Sequence, residues 1–328
     1  MSALERWLQR QWSRFGPAQL VLLPLSWLFG TLALMRRLSY RIGLLSACKL
    51  PVPVIVVGNI SIGGTGKTPL VLWLTEHLRQ QGFFPGIISR GYGGRALKPL
   101  PVSADTAPAL AGDEPVLLAR RSACPVWIGR DRVAAAQALL AANPQCDLII
   151  SDDGLQHYRL QRDVEIAVVD GERGLGNGQL LPSGPLREGR HRLQSVDAVV
   201  INGGKAGVAG YAMRLDADVL RNLLDPMRTL KAADLDEKSI CAIAGIGNPS
   251  RFFRQLHDMG LRFEQRVFPD HHPFQPADLQ TLKAEAILMT EKDAVKCAAF
   301  ARENWWYLPV HAVIAPELLA RIMQKLRN

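Results

Sequence analysis

Residues 61–68, SIGGTGKT, have the residue types and spacing of a phosphate-binding loop, in which backbone N–H groups of a glycine-rich turn surround phosphate oxygens. The loop precedes a stretch with helical periodicity, 69–80, whose start adds the positive end of a helix dipole. Lys67 is expected to reach the β- and γ-phosphates, and Thr68 to bind Mg²⁺. A serine replaces the first glycine of the common pattern, but the later glycines and the GKT sequence set most of the geometry. The residues expected to contact the nucleotide are Ser61, Ile62, Gly63, Gly64, Thr65, Gly66, Lys67 and Thr68.

Two adjacent carboxylates, Asp152 and Asp153, directly follow the apolar run 148–150. A carboxylate at the C-terminal end of a buried strand, downstream of a phosphate loop, commonly holds the Mg²⁺ of a bound nucleotide. Paired carboxylates at a strand end usually only cap a turn or face solvent, so the interpretation depends on the upstream loop. The sequence therefore predicts Mg²⁺ binding by Asp152 or Asp153 together with Thr68.

Short strands alternate with helices along the part of the chain that contains this loop. The run 52–57 is rich in β-branched residues and ends in Gly58-Asn59, which is typical of a buried parallel strand leading into a loop. Further short apolar runs lie at 86–88, 126–128, 148–150, 164–169 and 198–201, and a helical stretch at 132–142. This alternation predicts an α/β fold of the P-loop NTPase type, with a doubly wound, mostly parallel sheet.

A second series of elements follows a polar stretch at 224–237. Strands are expected at 240–244, 263–268, 286–290 and 306–310, and helices at 250–259 and 316–326. We therefore expect a boundary near residue 230. The expected parts are an N-terminal membrane-associated segment at 1–45, a nucleotide-binding domain at 46–230, and a smaller α/β domain at 231–328.

The N-terminal segment carries no charge from residue 15 to residue 35 and is strongly apolar from 20 to 35. The run is slightly short for a spanning helix, contains Pro24 and Gly30, and lacks a small-residue cleavage site after it, so export is not expected. Arginines and aromatic residues surround it: Arg6, Trp7, Arg10, Trp12, Arg14, Phe15, Trp27, Phe29, Arg36, Arg37 and Arg41. This composition favours a helix lying at a membrane surface, with a buried core helix and a true span as the alternatives.

Composition limits the class of protein further. The 328 residues are 48% hydrophobic and 21% charged, which indicates a folded protein rather than a disordered chain or one with many membrane spans. The formal net charge of +9 favours an anionic partner such as a phosphorylated molecule, a membrane surface or a nucleic acid. The five cysteines are scattered, without a CxxC pair, which argues against a disulfide framework or structural zinc and for a reducing compartment.

The phosphate loop alone does not name the reaction, because ATPases, GTPases and small-molecule kinases share it. Partition-type ATPases carry a lysine where this chain has Ile62. GTPases need a guanine-reading motif, which residues 290–293, TEKD, match only superficially.

A wider set of motifs resembles one family, the tetraacyldisaccharide 4'-kinases of lipid A biosynthesis. The motifs are GN at 58–59, the phosphate loop, SRGYGG at 89–94, GDEP at 112–115, DDGLQH at 152–157, LPSGPLRE at 181–188 and DHH at 270–272. The resemblance covers nearly the whole chain. It implies an ATP- and Mg²⁺-dependent kinase that phosphorylates the 4'-hydroxyl of a tetraacylated glucosamine disaccharide 1-phosphate to give lipid IVA. It also implies action at the cytoplasmic face of the inner membrane, by peripheral attachment or a single span, without a nucleic acid or an obligatory protein partner.

The resemblance also implies roles for single residues. Asp113 matches the family's catalytic aspartate, which pairs with a histidine of the second domain; this maps to His271, with His272 as the alternative. Such a carboxylate would accept the proton of the sugar hydroxyl. Because this pairing would join residues of both domains, it implies that the smaller domain at 231–328 closes over the site by a hinge near residue 230. Glu114 is expected to contribute to the Mg²⁺ shell. Residues expected near substrate or transition-state charge are Arg90, Tyr92, Arg132, Gln156, Arg187 and Glu188, since phosphoryl transfer depends mainly on positioning and electrostatics.

Without the phosphate loop and the resemblance, simpler interpretations of these residues would hold. Residues 113–115 would be a helix cap and 271–272 an exposed turn, and each arginine would be an ordinary surface residue. The alternative function is a membrane-associated ATPase or GTPase switch that recruits a partner protein and only hydrolyses its nucleotide.

Overall fold

Two β-sheets organise the chain in the computed structural model, which describes residues 12, 16–204, 206–236 and 238–327. Of the flanking residues expected at a membrane surface, Arg6, Trp7, Arg10, Arg14 and Phe15 lie outside this description. The helices are α1 Pro17–Arg41, α2 Lys67–Gln80, α3 Pro108–Ala111, α4 Asp113–Ser122, α5 Arg132–Ala142, α6 Pro249–Asp258, α7 Pro276–Gln280, α8 Glu291–Cys297 and α9 Glu317–Arg327. Short 3₁₀ turns occur at Arg190–Gln194, Ala232–Leu235 and Ala298–Phe300.

The first sheet carries the phosphate loop at its centre. Its strands are β1 Val54–Gly58, β2 Pro85–Ser89, β3 Leu100–Val102, β4 Val126–Ile128, β5 Leu148–Asp152, β6 Val164–Asp170, β7 Ala198–Asn202, β8 Tyr211–Asp216 and β15 His311–Ile314. Within the described residues their order is β15-β8-β7-β6-β1-β5-β2-β4-β3, parallel except for the two edge strands, β15 and β3. The prediction of a doubly wound, mostly parallel sheet is confirmed.

Alternate residues of β1 show why this sheet is covered on both faces. Ile55 and Val57 pack into one core with residues of α2 and α4, while Val54 and Val56 pack into a second core with residues of α5. A strand buried on both faces reads as a continuous β-branched run, which is the pattern of 54–57. The sheet therefore fixes the C-terminal ends of β1, β5, β6 and β7 side by side.

The second sheet is smaller and carries the predicted C-terminal strands. Its strands are β9 Leu220–Asn222, β10 Thr229–Leu230, β11 Ile240–Ala244, β12 Glu264–Val267, β13 Ala286–Thr290 and β14 Trp305–Leu308. In the described ranges their order is β10-β9-β14-β13-β11-β12, with β14, β13, β11 and β12 parallel. The strands expected at 240–244, 263–268, 286–290 and 306–310 are thus present, shifted by one or two residues at some ends.

Sheet membership differs from a single division at residue 230. Residues 220–230 already belong to the second sheet, where β9 pairs with β14 and β10 pairs with β9. Residues 311–327 return to the first sheet unit, where Leu318 and Ile322 of α9 join its core. The chain therefore crosses between the sheets at 217–219 and again at 309–310. Strands of two or three residues leave no apolar run to recognise, and an amphipathic helix does not itself indicate which sheet it will cover.

Helix α1 has an inverted pattern of burial. Its buried side chains are polar, Gln19 and Ser26, whereas most of its large apolar side chains are exposed. Ser26 Oγ donates to Leu180 O at 2.9 Å and accepts from Ser183 N at 2.9 Å, so the polar face is fixed to the loop before Leu186. Among the described residues, α1 is the one helix long and apolar enough to cross a membrane. The apolar face is therefore available to a nonaqueous surface.

Candidate active site

The phosphate loop lies where β1 ends and α2 begins, and its backbone is tightly curled. Gly63 and Gly66 have φ angles of +105° and +94°, in the left-handed region that glycine adopts without strain. A Cβ atom on Gly66 would lie 2.2 Å from Asn202 Nδ2, so space also restricts this position to glycine. The first turn of α2 presents N–H groups that have no acceptor within the helix, which is the arrangement that binds phosphate oxygens.

Asp153 pairs with the lysine of this loop. Asp152, one residue earlier, is the register partner of Val57 on β1, so β5 delivers both carboxylates to the loop. Lys67 Nζ and Arg187 Nη1 each lie 3.4 Å from Asp153 Oδ1. Burial raises the pKa of Asp153, but the charges of Lys67 and Arg187 outweigh it and lower the pKa to about 2. Asp153 is therefore ionised at neutral pH.

Asp152 has the opposite electrostatic character. It is buried; its Oδ2 accepts from Ser89 Oγ at 3.1 Å, while its Oδ1 has no hydrogen-bond partner among the described residues. Burial, followed by the charge of Glu114, raises the pKa of Asp152 to about 7. A buried carboxylate oxygen without a partner is costly unless a cation or donor binds there.

These features fit Mg²⁺ bound together with a nucleotide. In the part of the chain that the structure describes, no group of three or more His, Cys, Asp or Glu side chains is arranged to hold a metal by itself. Mg²⁺ usually binds proteins through one or two carboxylates and completes its shell with phosphate oxygens and water. The unpartnered Asp152 Oδ1 supplies one carboxylate oxygen for such a partial site.

Asp113 and His271 form a hydrogen-bonded pair that joins the two sheet units. Asp113 is the first residue of α4 and is 5% exposed, and His271 follows β12. His271 Nδ1 lies 3.1 Å from Asp113 Oδ2 and 3.2 Å from Oδ1. His272 instead lies 3.0 Å from Asp278, so the structure brings His271 rather than His272 to Asp113.

The pair is polarised. Burial raises the pKa of Asp113, but the hydrogen bond from His271 and the charge of Lys292 outweigh it and lower the pKa to about 2. Burial lowers the pKa of His271, but the hydrogen bond to Asp113 outweighs it and raises the pKa. Asp113 is thus a carboxylate at neutral pH, and the imidazole of His271 holds its oxygens in place.

Two residues of the site have strained backbones. His271 has a φ angle of +57° and Asp153 one of +50°, which non-glycine residues rarely adopt. Backbone strain of this kind persists only where the surrounding structure enforces it, and it concentrates at functional sites. The positive φ angle of each residue therefore sets the direction in which its side chain leaves the backbone.

Lys292 connects the pair to the neighbouring acids and was not predicted. Its Nζ atom lies 2.9 Å from Glu114 Oε1, 3.7 Å from Asp270 Oδ1 and 3.8 Å from Asp113 Oδ2, and it donates towards His271 Nε2 at 3.4 Å. Burial lowers the pKa of Lys292, but the charges of Glu114 and Asp113 outweigh it and raise the pKa. Glu114, expected near Mg²⁺, is therefore paired with a lysine. Burial raises the pKa of Glu114, but the charge of Lys292 outweighs this effect and lowers the pKa.

Gln156, Arg187 and Glu188 are linked beside the loop. Gln156 Nε2 donates to Asn59 O at 3.0 Å and to Glu188 Oε1 at 2.8 Å, and Arg187 Nη1 lies 3.5 Å from Gln156 Oε1. Glu188 is 9% exposed and also pairs with Arg192. It is therefore a buried acceptor that fixes the position of the Gln156 side chain. Arg187 is the member of this group that reaches towards the loop.

Arg132, Arg90 and Tyr92 occupy different environments. Arg132 is 4% exposed and donates to three backbone carbonyls, including Asp153 O at 3.2 Å, so it supports the Asp153 backbone rather than facing a cavity. Arg90 is exposed directly after β2. Tyr92 is also exposed, with its ring centroid 5.0 Å from that of His271.

Two cavities border the loop. One of about 180 Å³ lies between residues 64–68 and α6, lined there by Arg251 and Gln255. A larger, open cavity of about 810 Å³ lies between residues 61–63 and the loop 267–270, and Trp12 of the N-terminal segment also lines it. The loop is thus accessible from two sides.

Residues at strand ends account for most of what sequence reasoning missed. Asp170 ends β6, Asn202 ends β7 and Lys292 follows β13 by two residues. The expected strands end within one residue of Asp170 and Asn202, and the carboxyl ends of parallel strands are where α/β folds bind ligands. That rule, applied to every predicted strand, identifies these positions. No sequence signal identifies Arg173 and Arg251, which reach Asp170 from a loop and from the other sheet unit.

The chain is similar to a defined set of proteins. A family model described as tetraacyldisaccharide-1-P 4'-kinase matches residues 18–327. Proteins named tetraacyldisaccharide 4'-kinase are 53% identical in Methylobacillus flagellatus, over 99% of this chain and 97% of the relative, and 52% identical in Azoarcus sp., over 97% and 94%. A crystal structure of LpxK from Aquifex aeolicus in complex with ATP matches with a TM-score of 0.78 and 29% identity, covering 94% of this chain and 99% of that one.

Proposed function

Because the chain belongs to the tetraacyldisaccharide-1-P 4'-kinase family, we propose that Asp113, oriented by His271, accepts the proton of the sugar hydroxyl while the phosphate loop holds the ATP that supplies the phosphoryl group. The chain is an ATP-dependent kinase that phosphorylates the 4'-hydroxyl of an acylated disaccharide 1-phosphate. The family assignment does not favour the alternative of a nucleotide switch. What remains to be assigned is the role of each residue.

The hydrogen bond between Asp113 and His271 is the observation that carries the proposed mechanism. It joins a carboxylate on the phosphate-loop unit to an imidazole on the second unit, at 3.1 Å. In the reaction the hydroxyl oxygen forms a bond to the γ-phosphorus, the bond to the ADP oxygen breaks, and the hydroxyl proton passes to Asp113. Since phosphoryl transfer has a loose transition state, the proton is released late and an ionised carboxylate with a low pKa is a sufficient acceptor.

Charge stabilisation is the second part of the proposal. Lys67 lies at the start of α2, where it would contact the β- and γ-phosphates. Arg187 would add a second positive charge there, because Lys67 and Arg187 both pair with Asp153. Asp152, with its unpartnered Oδ1, and Thr68 would hold Mg²⁺, which neutralises phosphate charge during transfer. Arg132 and Glu188 act indirectly, because they support Asp153 and Gln156 from buried positions.

We further propose that α1 attaches the protein to the cytoplasmic face of the inner membrane. Its polar residues are held by the loop at 180–183, and the same loop pairs with the start of the phosphate loop through Ile62 N, which donates to Pro185 O at 2.8 Å. A lipid that lies beside α1 would therefore meet the site without leaving the membrane surface. Trp12, in the segment before α1, also lines the large cavity that borders residues 61–63 of the phosphate loop.

Closure of the second unit over bound ATP is part of the same proposal. The cleft between the units contains the smaller cavity, and the chain crosses it at 217–219 and 309–310. These two crossings, rather than residue 230 alone, are the proposed hinge. Protection of both crossings from proteolysis by Mg-ATP would support closure, and identical cleavage with and without Mg-ATP would contradict it.

The mechanism is tested with Asp113→Asn. Loss of the base is expected to reduce turnover about 10²- to 10⁴-fold while the affinity for ATP stays within about threefold. The assay follows transfer of label from radiolabelled ATP to tetraacyldisaccharide 1-phosphate in detergent. The control is Asp105→Asn, an exposed aspartate in the segment that leads to α4, which should retain full activity. Wild-type turnover in Asp113→Asn would remove Asp113 from the mechanism, and release of inorganic phosphate without labelled lipid by the wild type would remove the kinase function.

A further inference from the structure

We infer that Arg251, on α6 of the second unit, is a positioning residue for ATP binding: through Asp170 and Arg173 it holds the peptide of Gly64 in the phosphate loop. The second unit would thereby set the shape of a loop that belongs to the first. The inference rests on the proposed role of the loop in binding ATP, but it concerns residues that the mechanism above does not use.

The first step concerns the outward side of the phosphate loop. When the N–H groups of a loop face a phosphate, its carbonyl groups face the protein and need donors there. Arg173 Nη2 donates to Gly64 O, and Asn202 Nδ2 donates to Thr65 O at 3.0 Å. Arg173 also lies against Gly63, where a Cβ atom would be 2.9 Å from Arg173 Nη1. Two side chains therefore fix the direction of two successive loop peptides.

The second step concerns the carboxylate that aligns these supports. Asp170 is 2% exposed and is the register partner of Asn202 across β6 and β7. Its Oδ1 accepts from the backbone N–H groups of Glu172 and Arg173, each at 3.0 Å. Its Oδ2 lies 3.3 Å from Arg173 Nε. Asp170 thus fixes both the backbone and the side chain of Arg173.

The third step brings in the second unit. Arg251 Nη2 lies 3.1 Å from Asp170 Oδ2 and 3.3 Å from Asn202 O, so it contacts the ends of both β6 and β7. Asp170 Oδ2 is shared between two guanidinium groups, those of Arg173 and Arg251. Without Arg251, Arg173 would be the one cation among the described residues that pairs with this buried carboxylate. The guanidinium of Arg173 would then shift towards Asp170, and its hydrogen bond to Gly64 O would weaken.

A neighbouring ion pair provides a matched control. Arg254 lies three residues after Arg251 on α6 and pairs with Glu172, two residues after Asp170. This pair also joins the two units, but the Arg254 side chain is 58% exposed, and Glu172 has no contact with the phosphate loop in the described hydrogen bonds. Its removal tests loss of a contact between the units alone.

The experiment compares full-length Arg251→Met, Arg251→Lys, Arg173→Met, Arg254→Met and the double variant of Arg251 and Arg173, in detergent. ATP binding is measured by calorimetry without lipid, and KM and kcat by the transfer assay. Arg251→Met is expected to weaken ATP binding about tenfold, the size of one charged hydrogen bond, and to raise KM for ATP while kcat changes less than about threefold. Arg251→Lys, which keeps the charge, should recover most of the affinity, and Arg254→Met should bind like the wild type.

Arg251 also lines the smaller cavity, so it could contact ATP directly. The double variant separates such a contact from the proposed indirect effect of Arg251 through Asp170 and Arg173, which we call the relay. In the relay, Arg251→Met and Arg173→Met disrupt the same support, so the double variant binds no more weakly than the weaker single variant. Fold-changes that multiply would overturn the relay. Wild-type affinity in Arg251→Met, or an equal loss in Arg254→Met, would overturn the inference as well, and Arg251→Lys provides the comparison if the methionine variant does not fold. A wild-type protein that fails to bind ATP would instead refute the proposed function.

Discussion

Replacement of Lys292 by methionine separates catalytic positioning from stability. The Nζ atom lies 2.9 Å from Glu114 and within 3.8 Å of Asp113 and Asp270, so its removal leaves three carboxylates near one another without their shared cation. Breaking a buried pair by removing one partner costs about 3–5 kcal/mol, and the partial exposure of Glu114 reduces this to roughly 2–3 kcal/mol of unfolding free energy. At about 2–4 °C per kcal/mol, the range for domains of about 150–250 residues, the melting temperature should fall by about 4–12 °C.

Turnover should fall as well, because Asp113 loses one of the groups that orient it. Base catalysis is worth about 10²- to 10⁴-fold in total, and Asp113 keeps its hydrogen bond to His271, so we expect a loss of about 10- to 100-fold in kcat. Initial rates of lipid labelling at saturating ATP measure this. Lys292→Arg keeps the charge and should recover part of the rate.

The control is Lys296→Met, one turn later on α8. Lys296 Nζ lies 2.7 Å from the buried Asp293, so this variant also removes a buried cation from the same helix. In the described residues Lys296 makes no hydrogen bond or ion pair with Asp113 or His271, and its charge lowers the pKa of Asp113 less than the charges of Lys292 and His271 do. The variant should lose stability with little change in kcat. If both variants lose stability and turnover in the same proportion, Lys292 is only a structural residue and the reasoning is refuted.

Three further predictions follow from charge and exposure. For His271, whose folded-state pKa is raised, the stabilising contribution is complete below its unfolded pKa of about 6.5 and is lost as pH rises through the folded pKa. His271→Gln should therefore destabilise the protein more at pH 5.5 than at pH 9, and an equal melting-temperature difference at both would contradict this. For Asp152, whose pKa is raised to about 7, ionisation above the unfolded value destabilises the Mg²⁺-free fold. Asp152→Asn should raise the Mg²⁺-free melting temperature more at pH 8.5 than at pH 5 and should reduce the stabilisation by Mg-ATP; a Mg-ATP response equal to that of the wild type would argue against a metal ligand. On α1, Leu28→Glu with Leu32→Glu places charges on the exposed apolar face and should reduce flotation with anionic vesicles about tenfold or more, and unchanged flotation would exclude this face as the attachment surface.

The pattern of apolar residues predicted the large parallel sheet because its central strands are long enough to be recognised as buried strands. Val54–Gly58, Leu148–Asp152 and Val164–Asp170 are buried runs of five to seven residues, and runs of that length are recognisable without any neighbour. The strands Leu220–Asn222 and Thr229–Leu230 are too short and too polar for this. Leu220–Asn222 joins the second sheet by pairing with Trp305–Leu308, more than 80 residues away, and Thr229–Leu230 joins it by pairing with Leu220–Asn222, and no local pattern contains the first of these pairings.

The candidate site divides along the same line. The phosphate loop and Asp152-Asp153 can each be recognised from a local pattern, a strand followed by a turn, although distant side chains such as Arg173 and Asn202 support the loop in the folded chain. The resemblance pointed to Asp113 and His271. Their hydrogen bond depends on the packing of the two sheet units, which brings the start of α4 and the loop after β12 together. A residue whose partners lie on a different sheet unit has no sequence motif that identifies those partners. Lys292 is an example, because residues 290–293, TEKD, resemble only superficially a guanine-binding pattern and do not indicate Glu114 or Asp113 as partners.

The amino-acid sequence by itself predicted a nucleotide-binding loop at residues 61–68, because glycine spacing and one lysine define that chemistry over eight residues. Only the tertiary structure decided which distant groups shape that loop and which acids share a cation, with Arg251 at Asp170 and Lys292 at Glu114. The physical reason is range: backbone curvature is set by adjacent residues, whereas the electrostatic environment of a buried carboxylate is set by whichever charges folding brings within about 4 Å.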